Sequence, residues 1–391
     1  MRLGLWRVGA FGLMAVLLAL AGCGTAAPTN QWQNVGPANA QINTLASDPH
    51  IRGIIFAGGS DGTTYLARGD KSGVFVTSMQ SPGHGPVNII FPNPYVKGAV
   101  YAGTAGGFYA SSDYGNKYVA HNSGLPAEAS VAAITTGADA ATLYISVAGK
   151  GFYSSADGGK SWKAVVPSTA TASLPANAVV QALLWDGASK ALFAAVSGAG
   201  NGVYVSHDTG ASWDKDGVGL PPKTDGYALL ELTSGGGAPS GPALYIGSSS
   251  GVYTRASGAA TWKSANTGLP TETVYSLATY FATPELLYAG TGQTVYTSTD
   301  GGQHWAKVAD GLAHAVPAIV VVPGQNTPTV TFVAAGQIAR YPAVAGSGGG
   351  IFSTLLLVVI VGAAAWFVLA RYRLVPGLPK VWRRVTRRGE S

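Results

Sequence analysis

Asp113, Asp157, Asp208 and Asp300 each stand two residues after a serine (Ser111, Ser155, Ser206, Ser298) and two before a glycine (Gly115, Gly159, Gly210, Gly302). Five residues beyond the last three come Trp162, Trp213 and Trp305, and Tyr118 holds that place after Asp113. A carboxylate on a glycine-bounded turn is suited to general acid or base work. The same residue can instead accept backbone N–H groups of its own turn, while the glycine takes up positive φ without a Cβ clash. Repetition separates the two readings. An acid–base catalyst is needed once and must converge with partners, whereas a turn that staples two strands is needed once per structural unit.

The closing aromatics Tyr118, Trp162, Trp213, Trp262 and Trp305 lie 44, 51, 49 and 43 residues apart. In the copy ending at Trp262 the motif has decayed to Arg255, Ser257 and Ala259. Upstream of each copy runs another short apolar segment, such as AVYAGTA or TLYISVA, and downstream a linker such as NSGLP or NTGLP. Short apolar runs between glycine-rich turns read as strands. A unit of 43–51 residues holding four of them reads as a propeller blade. Gln41–Met79 makes such a unit without the Asp motif, and Pro317–Val344 supplies only three strands. QWQNVG at Gln31–Gly36 resembles the missing fourth, and pairing the two ends would hide the last free sheet edge. The expectation is all-β: a single β-propeller over 23–344 with seven four-stranded blades and ring closure by the N-terminal strand. Six or eight blades are the alternatives.

Ser-x-Asp-x-Gly-x-x-Trp resembles the Asp-box, or BNR repeat, of sialidases, sortilin-type receptors, xyloglucan-cleaving glycosidases and the photosystem II assembly factor. The match is full at the copies ending in Trp162, Trp213 and Trp305, and Tyr118 replaces the tryptophan in a fourth. The resemblance implies a structural motif and an extracytoplasmic propeller. A functional analogue among these is the assembly factor, a single propeller that is a lipoprotein in cyanobacteria. That family uses an arginine-rich patch, whereas this body has only Arg52, Arg68, Arg255 and Arg340.

With alternating strands the Asp turns fall on one face of the ring, and the second-to-third-strand loops and inter-blade linkers form the other. Asp61, Glu128, Asp225, Glu272 and Asp310 are the carboxylates available to a ligand on that second face. A glycosidase needs two such groups about 5–10 Å apart, and sequence alone brings no two together. The arginine triad and Arg-Ile-Pro signature of sialidases are missing. The six histidines show no HxH or HExxH spacing, so neither a metal nor another cofactor is expected.

The ends carry a different message. Residues 1–22 read as a secretory signal, with Arg2 and Arg7 before an apolar run, and Leu20-Ala21-Gly22-Cys23 resembles the lipobox of bacterial lipoproteins. Cys23 is therefore the expected lipidation site, and as the single cysteine it leaves no disulfide. After a Gly/Ser linker at 345–350, residues 351–370 carry no charge and are long enough to span a bilayer. The tail at 371–391 holds seven Lys/Arg, which points it to the cytoplasm. Nine of the 24 basic residues but one of the 18 acids sit in these ends, leaving 15 against 17 in the body. The net charge of +6 thus reflects membrane topology, and nucleic-acid binding is not expected. Two functions fit: a non-enzymatic binding or assembly scaffold for proteins or surface glycans at the outer face of a bacterial membrane, or an extracytoplasmic glycoside hydrolase.

Overall fold

A computed structural model describes residues 31–342 except 38, 69–74, 78–81, 84, 167–173, 176, 233–242, 281–282 and 324–328. Cys23, the apolar stretch 351–370 and the basic tail lie outside the described residues. Among the described residues no helix is long and apolar enough to cross a membrane.

Asn30–Ala343 forms one unit of seven four-stranded antiparallel sheets. The first blade is β2 (Ile42–Ser47), β3 (Ile54–Gly59), β4 (Thr64–Arg68) and β5 (Phe75–Thr77). The second is β6 (Val87–Pro92), β7 (Val100–Thr104), β8 (Gly107–Ser111) and β9 (Val119–Ala120). β10 (Val131–Thr136) to β13 (Lys163–Ala164), β14 (Ala178–Asp186) to β17 (Asp214–Lys215), and β18 (Gly226–Leu232) to β21 (Lys263–Ser264) make the third, fourth and fifth. β22 (Ser276–Tyr280) to β25 (Ala306–Ala309) make the sixth. The seventh joins the two ends: β26 (Ala318–Pro323), β27 (Thr329–Ala335) and β28 (Gln337–Tyr341) are completed by β1 (Gln33–Asn34). Gln33 pairs with Arg340 and Asn34 with Ala339, so ring closure by the N-terminal strand and the count of seven hold.

The alternation of side chains along each strand explains the packing. Each blade is covered on both faces, so second strands such as Val100–Thr104 and Leu143–Val147 are buried at every position. Among the described residues the core is divided into seven apolar clusters, each drawn from two neighbouring blades. Ile54 and Phe56 of blade 1 meet Val87, Ile90 and Val100 of blade 2, and Val320 and Phe332 of blade 7 meet Ile55 and Tyr65 of blade 1.

Tryptophans sew the blades together. Trp162 of blade 3 lies edge-on to Phe108 of blade 2, with centroids 4.8 Å apart, and its indole N–H donates to the His121 carbonyl at 2.9 Å. Trp262 and Trp305 donate likewise to the carbonyls of Asp216 (2.9 Å) and Ala265 (2.8 Å). The Gly-Leu-Pro linkers are the other half of this seam. Gly124, Gly219 and Gly268 all have φ near +90°, and a Cβ there would stand 2.0, 2.1 and 2.3 Å from the carbonyl oxygens of Trp162, Trp262 and Trp305.

Candidate functional site

The four Ser-x-Asp-x-Gly turns join third and fourth strands and share one hydrogen-bond pattern. In the third blade Ser155 Oγ donates to Asp157 Oδ1 at 2.7 Å and accepts from Gly159 N at 2.9 Å. Asp157 Oδ1 also accepts from Lys160 N (2.9 Å) and Ser161 N (3.0 Å), and Oδ2 takes the Ser161 hydroxyl. The hydroxyls of Ser161 and Ser155, with the Ser161 N–H, hold this carboxyl far below the ordinary carboxylate range. Asp300 is pulled down to about 2, chiefly by the backbone N–H and the ring of His304. At Asp113 and Asp208 burial acts upward, but the bonds from Ser111 and Lys117 N, and from Ser212 and Ser206, outweigh it. Such groups are poor proton donors near neutrality, and their oxygens are occupied by their own turns.

The five carboxylates of the opposite face are scattered. Asp61 Oδ1 accepts Thr63 N at 3.0 Å. Asp225 Oδ1 accepts Gly198 N at 2.9 Å, tying two blades together. Glu128 sits at φ +50°, and its backbone carbonyl and that of Ala127 receive the Lys150 ammonium. Glu272 and Asp310 share a neighbourhood, since both charges act on Tyr296 and Lys307. Asp310 pairs with Lys307, and the charges of Asp310 and Glu272 help to keep that ammonium protonated. Both carboxylates are exposed and belong to blade 6 and its entry and exit linkers.

A cavity lies on this second face, and none of the five lines it. It encloses about 450 Å³ where the ring closes, within the range of about 300–1,000 Å³ usual for small-ligand sites. Its walls come from four separate segments: Trp32 and Asn34 of the closing strand region, Asn39–Gln41 entering blade 1, Gly311–His314 entering blade 7, and the turn Ala335–Gln337. Trp32 is anchored from behind, its ring 5.4 Å from that of Tyr341 and its indole N–H donating to Ala309 O at 3.3 Å. Gly336 has φ +79° and lies against His314, whose Cδ2 would be 2.7 Å from a Cβ there. Among the described residues no lysine, arginine, aspartate or glutamate contributes to the wall. A smaller cavity of about 150 Å³ on the same face holds Lys215 and Lys223 and again no carboxylate. Among the described residues no group of three or more His, Cys, Asp or Glu is placed to hold a metal.

One buried ionic network escapes sequence reading. Where the motif of blade 5 has decayed, Arg255 is sandwiched between Phe193 and Trp262, 5.1 and 5.0 Å from their centroids, and pairs with Asp216 at 2.9 Å. Ser257, which replaces the motif aspartate, donates instead to the fully buried Asp186 of blade 4 at 2.5 Å. Burial raises the pKa of Asp186, but hydrogen bonds from Ser189 and Ser257 prevail and keep it low. Its neighbour Glu231 is pushed up to about 7 by burial and by the Asp186 charge. The signal was present as Arg255 and Ser257 in the broken motif, but their partners come from another blade.

Similar solved structures share this architecture. The chain superposes on a GH74 xyloglucanase from Xanthomonas campestris with TM-score 0.59 and 18% identity, covering 81% of this chain and 54% of that one. On YCF48 bound to a D1 peptide the TM-score is 0.58 at 17% identity, covering 80% of this chain and 97% of that one. YCF48 from Cyanidioschyzon merolae gives 0.56 at 13% identity, covering 79% and 97%. The likeness is one of fold. The chain spans about half the length of the xyloglucanase. No protein-family model and no curated protein matches the sequence.

Proposed function

We propose that the chain is a non-enzymatic binding or assembly module, anchored to the outer face of a bacterial cytoplasmic membrane, that takes proteins or surface glycans on its linker face. The observation that carries this reading is the lining of the ring-closure cavity. A pocket of useful size is walled by side chains that can hydrogen-bond and holds no carboxylate, whereas glycoside hydrolysis requires two. The aspartates of the repeated turns are structural staples in this reading, in keeping with their resemblance to Asp-boxes. The xyloglucanase neighbour keeps a hydrolytic alternative in view, and YCF48 with its peptide is an example of the same fold in a binding role.

Anchorage rests on the sequence: a lipid on Cys23 and a span over 351–370, with the tail inside. Because the two anchors are redundant, Cys23→Ser alone should leave the protein in the membrane fraction, and recovery in the medium would remove the C-terminal anchor from the scheme. The functional test is site-directed photo-crosslinking in native membranes. A benzophenone side chain at position 313 or 337 should capture a protein or glycan, and one at 160 or 211, on the opposite face, should not. Capture from the second pair alone would overturn the assignment of the binding face.

A further inference from the structure

We infer that the ring-closure cavity binds a neutral oligosaccharide, with a sugar ring laid on Trp32 and its hydroxyls held by a ring of amides. This deepens the binding role proposed above and rests on it. Asn34, Asn39, Gln41 and Gln337 are all exposed around the cavity, and His314 stands beside them. None of these five side chains makes a hydrogen bond to another described residue, so their donors and acceptors are free for a ligand. An amide offers both a donor and an acceptor, as a sugar hydroxyl does, so the two pair in either sense. Charged ligands find no counter-charge among the described residues here, because these give the wall no lysine, arginine, aspartate or glutamate. His314 is the single titratable group among the lining residues.

Trp32 supplies the apolar part of the site. It is half-buried with its indole N–H already engaged by Ala309, so what it presents to the cavity is ring surface. A fixed aromatic surface surrounded by amides matches a pyranose, which has an apolar face of C–H groups and a polar rim. An extended peptide would be recognised mainly through its backbone at a sheet edge. The polar groups collected here are side chains from separate loops, which suits a compact ligand bearing hydroxyls.

The test uses the full chain in detergent and calorimetric titration with maltotetraose, cellotetraose, mannotetraose and the tetramer of N-acetylglucosamine. At least one should bind, and Trp32→Ala and Gln337→Ala should each weaken it tenfold or more. Asp61→Asn and Glu272→Gln should leave it unchanged. Because Trp32 also helps to close the ring, the exposed Gln337→Ala, checked for an unaltered melting temperature, keeps the test sound if Trp32→Ala fails to fold. Absence of binding by all four sugars, or binding that survives Gln337→Ala and Asn39→Ala together, overturns the proposal. So does tighter binding of an uncharged peptide at the same residues. In that last case, or if crosslinking from 337 captures only protein, the binding role stands and the sugar assignment falls.

Discussion

At the scale of single residues, the aspartates and Glu231 respond to pH in opposite senses. Asp157 and Asp300 have folded pKa values below the unfolded ones, so the stability they contribute is present above about pH 4 and is lost as pH falls through the folded values. Glu231 is the reverse case. Its folded pKa of about 7 exceeds the ordinary 4.5, so its contribution is full below pH 4.5 and is lost as pH rises towards 7. Glu231→Gln should therefore raise stability at pH 8 by on the order of 1–3 kcal/mol relative to the parent, and by much less at pH 5. Denaturant melts at both pH values check this, and equal effects at the two would mean that Asp186 and burial do not hold Glu231 protonated. Asp157→Ala removes a carboxylate that accepts several hydrogen bonds in its turn. A loss of about 1–2 kcal/mol is expected with ligand affinity retained, and lost binding at full stability would return Asp157 to the candidate site residues.

Between blades, the Gly-Leu-Pro linkers and the tryptophans form paired elements, and the two can be tested against each other. Gly268→Ala places a methyl against the Trp305 carbonyl at a backbone angle of +84° and should cost more than about 2 kcal/mol. Gly187→Ala, with open space around it and no positive φ, is the control and should be near neutral. A similar melting temperature for both variants would show that the linker does not lock the seam. Trp213 is the exception in the series, since its indole N–H is buried without a partner among the described residues. Trp213→Phe should accordingly cost about 1 kcal/mol less than Trp162→Phe, which chemical denaturation of both variants would reveal. The blades themselves were legible because Trp162, Trp213 and Trp305 recur with a fixed neighbourhood. The function of Gly124, Gly219 and Gly268 was not, because the carbonyl each one accommodates lies some forty residues away in the next blade.

For the whole molecule, ring closure is both a structural and a functional event. β1 completes blade 7 through Gln33 and Asn34, and the same segment brings Trp32 and Asn34 to the cavity. Gln33→Pro removes a ladder donor from this strand and should lower the melting temperature and ligand binding together. Binding preserved at a lowered melting temperature would separate the cavity from the closure. The seven-bladed ring and its closing strand could be read from the repeat and from Gln31–Gly36. The cavity could not, since 32–34, 39–41, 311–314 and 335–337 have no common spacing and meet only when the ring is shut. Nor could the Asp186–Glu231 pair, which joins two blades in a seam. The five linker-face carboxylates had the right chemistry for a hydrolase, yet the fold distributes them and leaves them outside the larger cavity.

The most direct test of a binding role without catalysis is mass spectrometry of a bound ligand recovered after prolonged incubation with the full-length protein. The expected result is reversible binding with the ligand returned intact. A cleaved ligand from the purified, folded protein would contradict it and make the chain an enzyme, and loss of that cleavage in Asp61→Asn, Glu128→Gln, Asp225→Asn, Glu272→Gln or Asp310→Asn would name the catalytic carboxylate.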